Sequence, residues 1–312
     1  MQETIKKLQN LHRIVGRQNE LMSALVAARA NKHILLEGPV GVGKTTIALA
    51  VASHLERGFI RIDGDERYTE QKLAGWYDPP LVLQKGYTEE SFIRGPLANA
   101  MEQGAILLIN ELNRMPEGTQ NVMLSAMDEK TIFIPKHGRV DAADGFMIIA
   151  TQNPDEYIGT SQLSEALKDR FICVDLNYQS EDDERNIVGL RSVCEDENTI
   201  RVAVVFARMT RNNEEIRRGS SIRGAIDLAD MFSTSFGPYS PDPEKWLTCA
   251  RLAFMTKIEL HDYSNERFEE LMRKLAQRSI QVLEQSEGAA PADSARTRLA
   301  DMSIEEKEVK KK

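Results

Sequence analysis

Cysteine is scarce in this chain: Cys173, Cys194 and Cys249 are the only three in 312 residues. So few thiols, odd in number and far apart, support neither a disulfide framework nor a cysteine-ligated metal site. Histidine offers no alternative, because His12, His33, His54, His137 and His261 fall in no H-E-x-x-H or comparable ligand spacing. No apolar run approaches the roughly 18–20 residues needed to cross a bilayer. Residues 1–10 carry no apolar core of a secretion signal. A basic surface is missing too. A net charge of −8 argues against a protein that coats duplex nucleic acid, since displacing counterions requires a concentrated positive face. Mild acidity otherwise implies only solubility. These absences together point to a reducing cytoplasm. At 312 residues and 28% charged, the chain is long enough for two domains with real cores.

Against that plain background one segment carries chemistry. Gly38, Pro39, Val40, Gly41, Val42, Gly43, Lys44, Thr45 and Thr46 fit the phosphate-binding pattern G-x-x-x-x-G-K-S/T. The short β-favouring run Ile34–Leu36 precedes it. A helical pattern follows, with Ile47, Ala50, Val51, His54 and Leu55 on one face and Gly58 as the expected stop. Glycines let backbone N–H groups close around triphosphate oxygens, and the helix N-terminus adds its positive dipole end. In that arrangement Lys44 reaches the β- and γ-phosphates and the Thr45 hydroxyl faces Mg²⁺. The chain is expected to bind a nucleoside triphosphate with Mg²⁺.

Short apolar runs at Ile34–Leu36, Phe59–Ile62, Ile106–Ile109, Phe146–Ala150 and Ile172–Leu176 alternate with helical patterns. That is the signature of parallel strands buried on both faces. The segment Thr131–Val140 reads as a small hairpin turning near Lys136, His137 and Gly138. From Gln179 the reading becomes helical. The expected architecture is therefore α/β: a P-loop domain with a five-stranded parallel sheet over residues 1–178, a small helical domain over 179–285, and a poorly ordered, solvated tail over 286–312.

Two further strands end in polar side chains. After Ile106–Ile109 come Asn110 and Glu111, where a P-loop ATPase keeps its Mg²⁺ ligand and its water-activating base. Glu111 would polarise a water for in-line attack on the γ-phosphate. After Met147–Ala150 come Thr151, Gln152 and Asn153, and Asn153 could orient that water or contact the γ-phosphate.

The ordered set GPVGVGKT, LLINELNR, ATQNP, SEALKDRF and SSIRGAIDL resembles the MoxR-type AAA+ ATPases and the related CbbQ/NorQ group. The resemblance runs from about Ile14 to about Phe232. It implies an AAA+ domain with a helical lid, working as a homo-oligomeric ring, commonly a hexamer. It implies that Asn153 is sensor 1, that Arg170 is an arginine finger offered to the neighbouring subunit, and that Arg223 is the lid's sensor 2. It places Val15 and Gly16 at the adenine pocket and Trp76–Ser91 in the insert of helix 2. It also implies chaperone-like remodelling of a protein client, often with a partner carrying a von Willebrand factor A domain. Trp76, Tyr77, Tyr87 and Phe92 would then either meet a partner or pack on the chain's own core.

One position departs from the family pattern. Asn110 stands where an Asp is usual, so the Mg²⁺ site loses a formal charge. That loss is worth roughly 1–4 kcal/mol at about 4 Å, depending on the effective dielectric. Two readings stay open: a slow ATPase, favoured because Lys44, Glu111, Asn153, Arg170 and Arg223 are all present, or a nucleotide-gated assembly scaffold that hardly turns over. Asn110→Asp is expected to raise basal hydrolysis or tighten Mg²⁺. A nucleic-acid motor is disfavoured by charge.

Overall fold

Along the central strands, alternate residues enter two different cores. Leu35, Leu107, Ile109 and Ile148 join one buried cluster. Their neighbours Ile34, Leu36, Ile106, Leu108 and Ile149 join a second one. A strand covered on both faces needs apolar side chains at every position, which is why these runs are continuous rather than alternating. The computed structural model describes residues 1–154 and 162–288. They form two compact units, residues 1–183 and residues from 184 onward.

The first unit opens with α1 (Gln2–His12), α2 (Gln18–Arg29), β1 (His33–Glu37), α3 (Lys44–Leu55), β2 (Phe59–Asp63) and α4 (Glu70–Ala74). It continues through β3 (Gly75–Tyr77), α5 (Pro79–Lys85), β4 (Phe92–Arg94), α6 (Pro96–Gln103) and β5 (Ile106–Asn110). Then follow α7 (Glu117–Asp128), β6 (Thr131–Ile134), β7 (Gly138–Asp141), β8 (Met147–Gln152), α8 (Glu165–Lys168) and β9 (Phe171–Asp175). The five-stranded sheet has the order β2-β5-β8-β1-β9 and every pairing in it is parallel. Helices α1, α2 and α3 supply Ile5, Leu8, Leu21, Leu25, Ile47 and Val51 to one face. Helices α4, α6 and α7 supply Leu73, Leu97, Met101 and Met123 to the other.

The expectation of five strands buried on both faces holds for β5, β8 and β1 only. Strands β2 and β9 are edges, and they leave Phe59 and Ile172 38% and 46% exposed. A second difference lies in α3, which stops at Leu55 because Glu56 turns left-handed (φ 53°), two residues before Gly58.

Two small antiparallel hairpins decorate this unit. Strands β6 and β7 pair from Thr131↔Asp141 to Ile134↔Gly138. Strands β3 and β4 bracket α5, whose N-terminus is capped by Asp78 accepting from the Leu81 N–H at 3.1 Å. The hairpins touch: Phe92 stacks on His137 at 3.9 Å, and Tyr77 donates to the Lys136 carbonyl at 3.3 Å. Phe92 is buried, so it packs inward. Tyr87 stays 60% exposed, although it meets Tyr77 edge-on.

The second unit contains α9 (Glu181–Arg191, entering from the first), α10 (Glu197–Arg211), β10 (Ile216–Arg218), α11 (Ile222–Phe236), α12 (Pro243–Phe254), β11 (Glu259–Leu260) and α13 (Asn265–Gly288). Its core stacks Phe232 on Trp246 at 3.9 Å and Phe206 on Phe254 at 4.9 Å. Asp196, Ser221 and Asp242 cap α10, α11 and α12, each accepting a first-turn N–H. Strands β10 and β11, three and two residues long, are too short to show a period-two pattern, so the sequence reads as purely helical here. Of the tail expected over 286–312, residues 286–288 still belong to α13, and the rest lies outside the described residues.

At the start of β1, His33 Nδ1 accepts the Ile148 N–H at 2.9 Å, and burial pushes its imidazole down to about 4 from an ordinary 6.5. The unfolded chain therefore takes up this proton first as pH falls. The neutral ring's contribution is complete above pH 6.5 and lost toward pH 4, amounting to at most about 3 kcal/mol. Urea unfolding is expected to show stability falling between pH 7 and pH 4.5, with a shallower fall in His33→Gln. Equal slopes would contradict this account of His33.

Candidate functional site

The functional side chains sit at the carboxyl ends of adjacent parallel strands, where an α/β sheet places its ligand crevice. Leaving β1 at Glu37, the chain runs through Gly38, Pro39, Val40, Gly41 and Val42 to Gly43, which N-caps α3 with φ 94°, a conformation open to glycine at little cost. The first turn of α3 holds Lys44, Thr45 and Thr46. Lys44 Nζ donates to the carbonyls of Gly38 and Pro39, both at 2.6 Å, so the ammonium lies folded over the loop that would cradle phosphate.

Beside it, the end of β5 is cross-braced. Asn110 Oδ1 accepts from the hydroxyls of Thr45 and Thr151, each at 2.9 Å, and Asn110 Nδ2 donates to Asp63 Oδ1 at 3.0 Å. Thr151 in turn accepts the Glu111 N–H at 3.0 Å. Four strand and helix ends thus meet at one amide. Glu111 adopts a left-handed backbone (φ 57°), and its carboxylate pairs with Arg114 at 2.8 Å. Asn153 follows the end of β8, and its carbonyl accepts from Asn113 Nδ2 at 3.2 Å. The Arg61 hydrogen bond, followed by the one from Asn110, holds the Asp63 carboxyl below its usual value.

Arg17 braces the loop from behind. Its guanidinium donates to the Val42 carbonyl at 3.0 Å and the Asn177 carbonyl at 2.6 Å, and it pairs with Glu20. Gly16 lines a polar cavity of about 470 Å³, with Arg17, Asn177, Tyr178, Gln179 and Asp183 among its other walls. Val15 offers only its carbonyl, accepting from Gln179 at 2.7 Å.

Lys44, Thr45, Asn110, Glu111 and Asn153 are therefore brought together. Arg170 is not bonded to this group. It pairs with Asp128 through Nε at 2.6 Å and donates to the Ala166 carbonyl. Arg223 lies exposed in the first turn of α11, in the second unit. Asp63, Thr151 and Arg17 were not singled out from the sequence. Asp63 carried the same signal as Asn110, a polar residue closing an apolar strand. The Thr45 hydroxyl and the Asp63 carboxylate, bridged by the Asn110 amide, are oxygen donors of the hard kind that Mg²⁺ favours. Among the described residues no cluster of three or more His, Cys, Asp or Glu could hold a metal unaided. The phosphates themselves would have to complete such a site.

A parallel α/β sheet with a phosphate loop at the N-terminus of α3 defines a P-loop nucleotide-binding protein. Residues 33–171 match the AAA domain of the dynein-related subfamily. Uncharacterized proteins of Staphylococcus epidermidis and Staphylococcus aureus are 32% and 30% identical over 207 and 209 residues, covering 64% and 65% of this chain and 78% and 79% of theirs. The chain belongs to the AAA+ family of ATPases. A Thermotoga maritima RuvB mutant shares the fold, with TM-score 0.53 at 19% identity over 78% of this chain and 71% of that one.

Removing the Arg17 side chain strands two carbonyls in a buried place. Arg17→Ala is expected to lose about 2–4 kcal/mol of unfolding free energy in urea, with Arg17→Lys recovering only part. A loss below about 0.5 kcal/mol, the range of an ordinary surface change, would show that Arg17 braces nothing.

Proposed function

We propose that this chain hydrolyses ATP as a subunit of a homo-oligomeric ring, most simply a hexamer, and uses the cycle to remodel or assemble a protein client. The carrying observation is the convergence of Lys44, Thr45, Glu111 and Asn153 at neighbouring strand ends. A site kept only for nucleotide-gated scaffolding has no need of a carboxylate whose backbone is pinned through Thr151 beside the phosphate loop, so hydrolysis is the better reading.

In this mechanism the loop N–H groups and the α3 dipole bind the β- and γ-phosphates, and Lys44 exchanges its loop carbonyls for phosphate oxygens. Magnesium, when bound, would neutralise charge on those oxygens, with Thr45 holding it by the lone pairs that its bond to Asn110 leaves free. Glu111, released from Arg114, takes a proton from the attacking water, and Asn153 orients that water. Arg170 leaves Asp128 to stabilise the transferring phosphoryl group of the neighbouring subunit, and Arg223 keeps the sensor 2 role that the resemblance implies. An exposed pair such as Arg170–Asp128 is weak enough to exchange on assembly.

A protein client is supported by the apolar residues the two hairpins expose, Leu83 at 89% and Phe133 at 77%, and by the acidic balance of the chain. A von Willebrand factor A domain partner and a cytoplasmic setting belong to the same reading. No described helix is long and apolar enough to cross a membrane.

Lys44→Ala and Glu111→Gln are each expected to lower steady-state ATP hydrolysis by about 100-fold or more. Arg170→Ala should also be inactive alone, yet partly active when mixed with Lys44→Ala, because mixed rings pair an intact pocket with an intact finger. Hydrolysis indifferent to Lys44 and Glu111 would sink the reading. Failure of the mixture would remove Arg170 from the shared site.

A further inference from the structure

The side chain that most resembles a metal ligand by position is already saturated. An amide oxygen has two acceptor sites, and Asn110 spends one on Thr45 and the other on Thr151. Nothing is left on Asn110 Oδ1 for a metal-bound water. Its Nδ2 can only donate, and it donates to Asp63. The formal charge missing at 110 is therefore present one strand away: Asp63 is the register partner of Asn110 in the β2–β5 pair. The two strand ends are forced close, since a Cβ on Gly64 would lie 2.1 Å from the Glu111 carbonyl oxygen and the Gly64 N–H donates to the Asn110 carbonyl at 2.7 Å.

We propose that Asp63 supplies the anionic, water-mediated hold on the nucleotide-bound Mg²⁺, with Asn110 acting as the spacer that fixes Thr45 and the Asp63 carboxylate relative to each other. The inference rests on the ATP-binding reading above. Several features favour it. Asp63 is 63% exposed on its side chain, so its second oxygen is open to water. Its carboxylate is held in the charged form by Arg61 and Asn110. Among the described residues Arg61 is the only other side chain bonded to it, at 3.0 Å, and that pair is exposed on both sides and easily opened. The direction of the Asn110 amide is also settled by this arrangement, because a carboxylate accepts and cannot donate. An Asp at 110 beside an intact Asp63 would instead face like charge at hydrogen-bond distance. The expectation that Asn110→Asp alone improves the site is therefore revised. The informative change is an exchange of the two residues.

The probe is Mn²⁺, followed by electron paramagnetic resonance as it binds to the protein–ADP complex, with ADP affinity measured in parallel without metal. Asp63→Asn is expected to weaken Mn²⁺ by about tenfold, while metal-free ADP affinity stays within about twofold of the parent. Asp63→Asn/Asn110→Asp keeps every donor opposite an acceptor and should return Mn²⁺ affinity to within about threefold. Unchanged Mn²⁺ affinity in Asp63→Asn overturns the proposal, as does a double variant no better than the single one. A parent protein that binds ADP but gains nothing from Mn²⁺ also overturns it, while leaving nucleotide binding intact. A parent that binds no ADP defeats the functional reading itself.

Discussion

The amide of Asn110 holds the carboxyl end of this sheet together. It receives hydroxyls from α3 and from the end of β8, and gives its N–H to the end of β2. Thr151 passes the constraint on to Glu111 through the backbone N–H. Because each partner belongs to a different element, the position of the phosphate loop relative to the end of β5 is set by one side chain at the junction of three strands. A charged Asp there would accept the same hydroxyls but would meet Asp63 with like charge. An amide tolerates both neighbours.

The charged candidate residues are each held by a contact of their own. Lys44 lies on its own loop carbonyls, Glu111 on Arg114 and Arg170 on Asp128. Each of these contacts is polar and partly open to solvent, so the proposed cycle can trade it for a phosphate, a water or a neighbouring subunit at small cost. Arg17 is different in kind. It is buried and bonded to carbonyls from the phosphate loop and from the segment after β9, so it braces the scaffold on which the loop stands.

The contiguous parts of this design were legible in the sequence. The phosphate loop is a local motif, and β5, β8 and β1 announce themselves because burial on both faces demands unbroken apolar runs. The edge character of β2 and β9 was not legible, since strand order is a property of pairing and Phe59–Ile62 looks as apolar as its buried counterparts. The stop of α3 at Glu56 was missed because Gly58 is the more obvious breaker, yet Glu56 takes the left-handed turn itself. The clamp was hidden for another reason. Asp63 and Thr151 lie 47 and 41 residues from Asn110, and only the parallel register brings them to one point. The aromatic insert divides between the alternatives left open: Phe92 is core, while Tyr87 remains exposed.

The most direct test of this account is a crystal structure with Mg²⁺ and a non-hydrolysable ATP analogue at a resolution that orders the metal's waters. The account requires Asn110 Oδ1 to keep both threonine hydroxyls while a metal-bound water donates to the Asp63 carboxylate. It is contradicted if Asn110 swings its oxygen onto a metal-bound water and Asp63 turns away to Arg61.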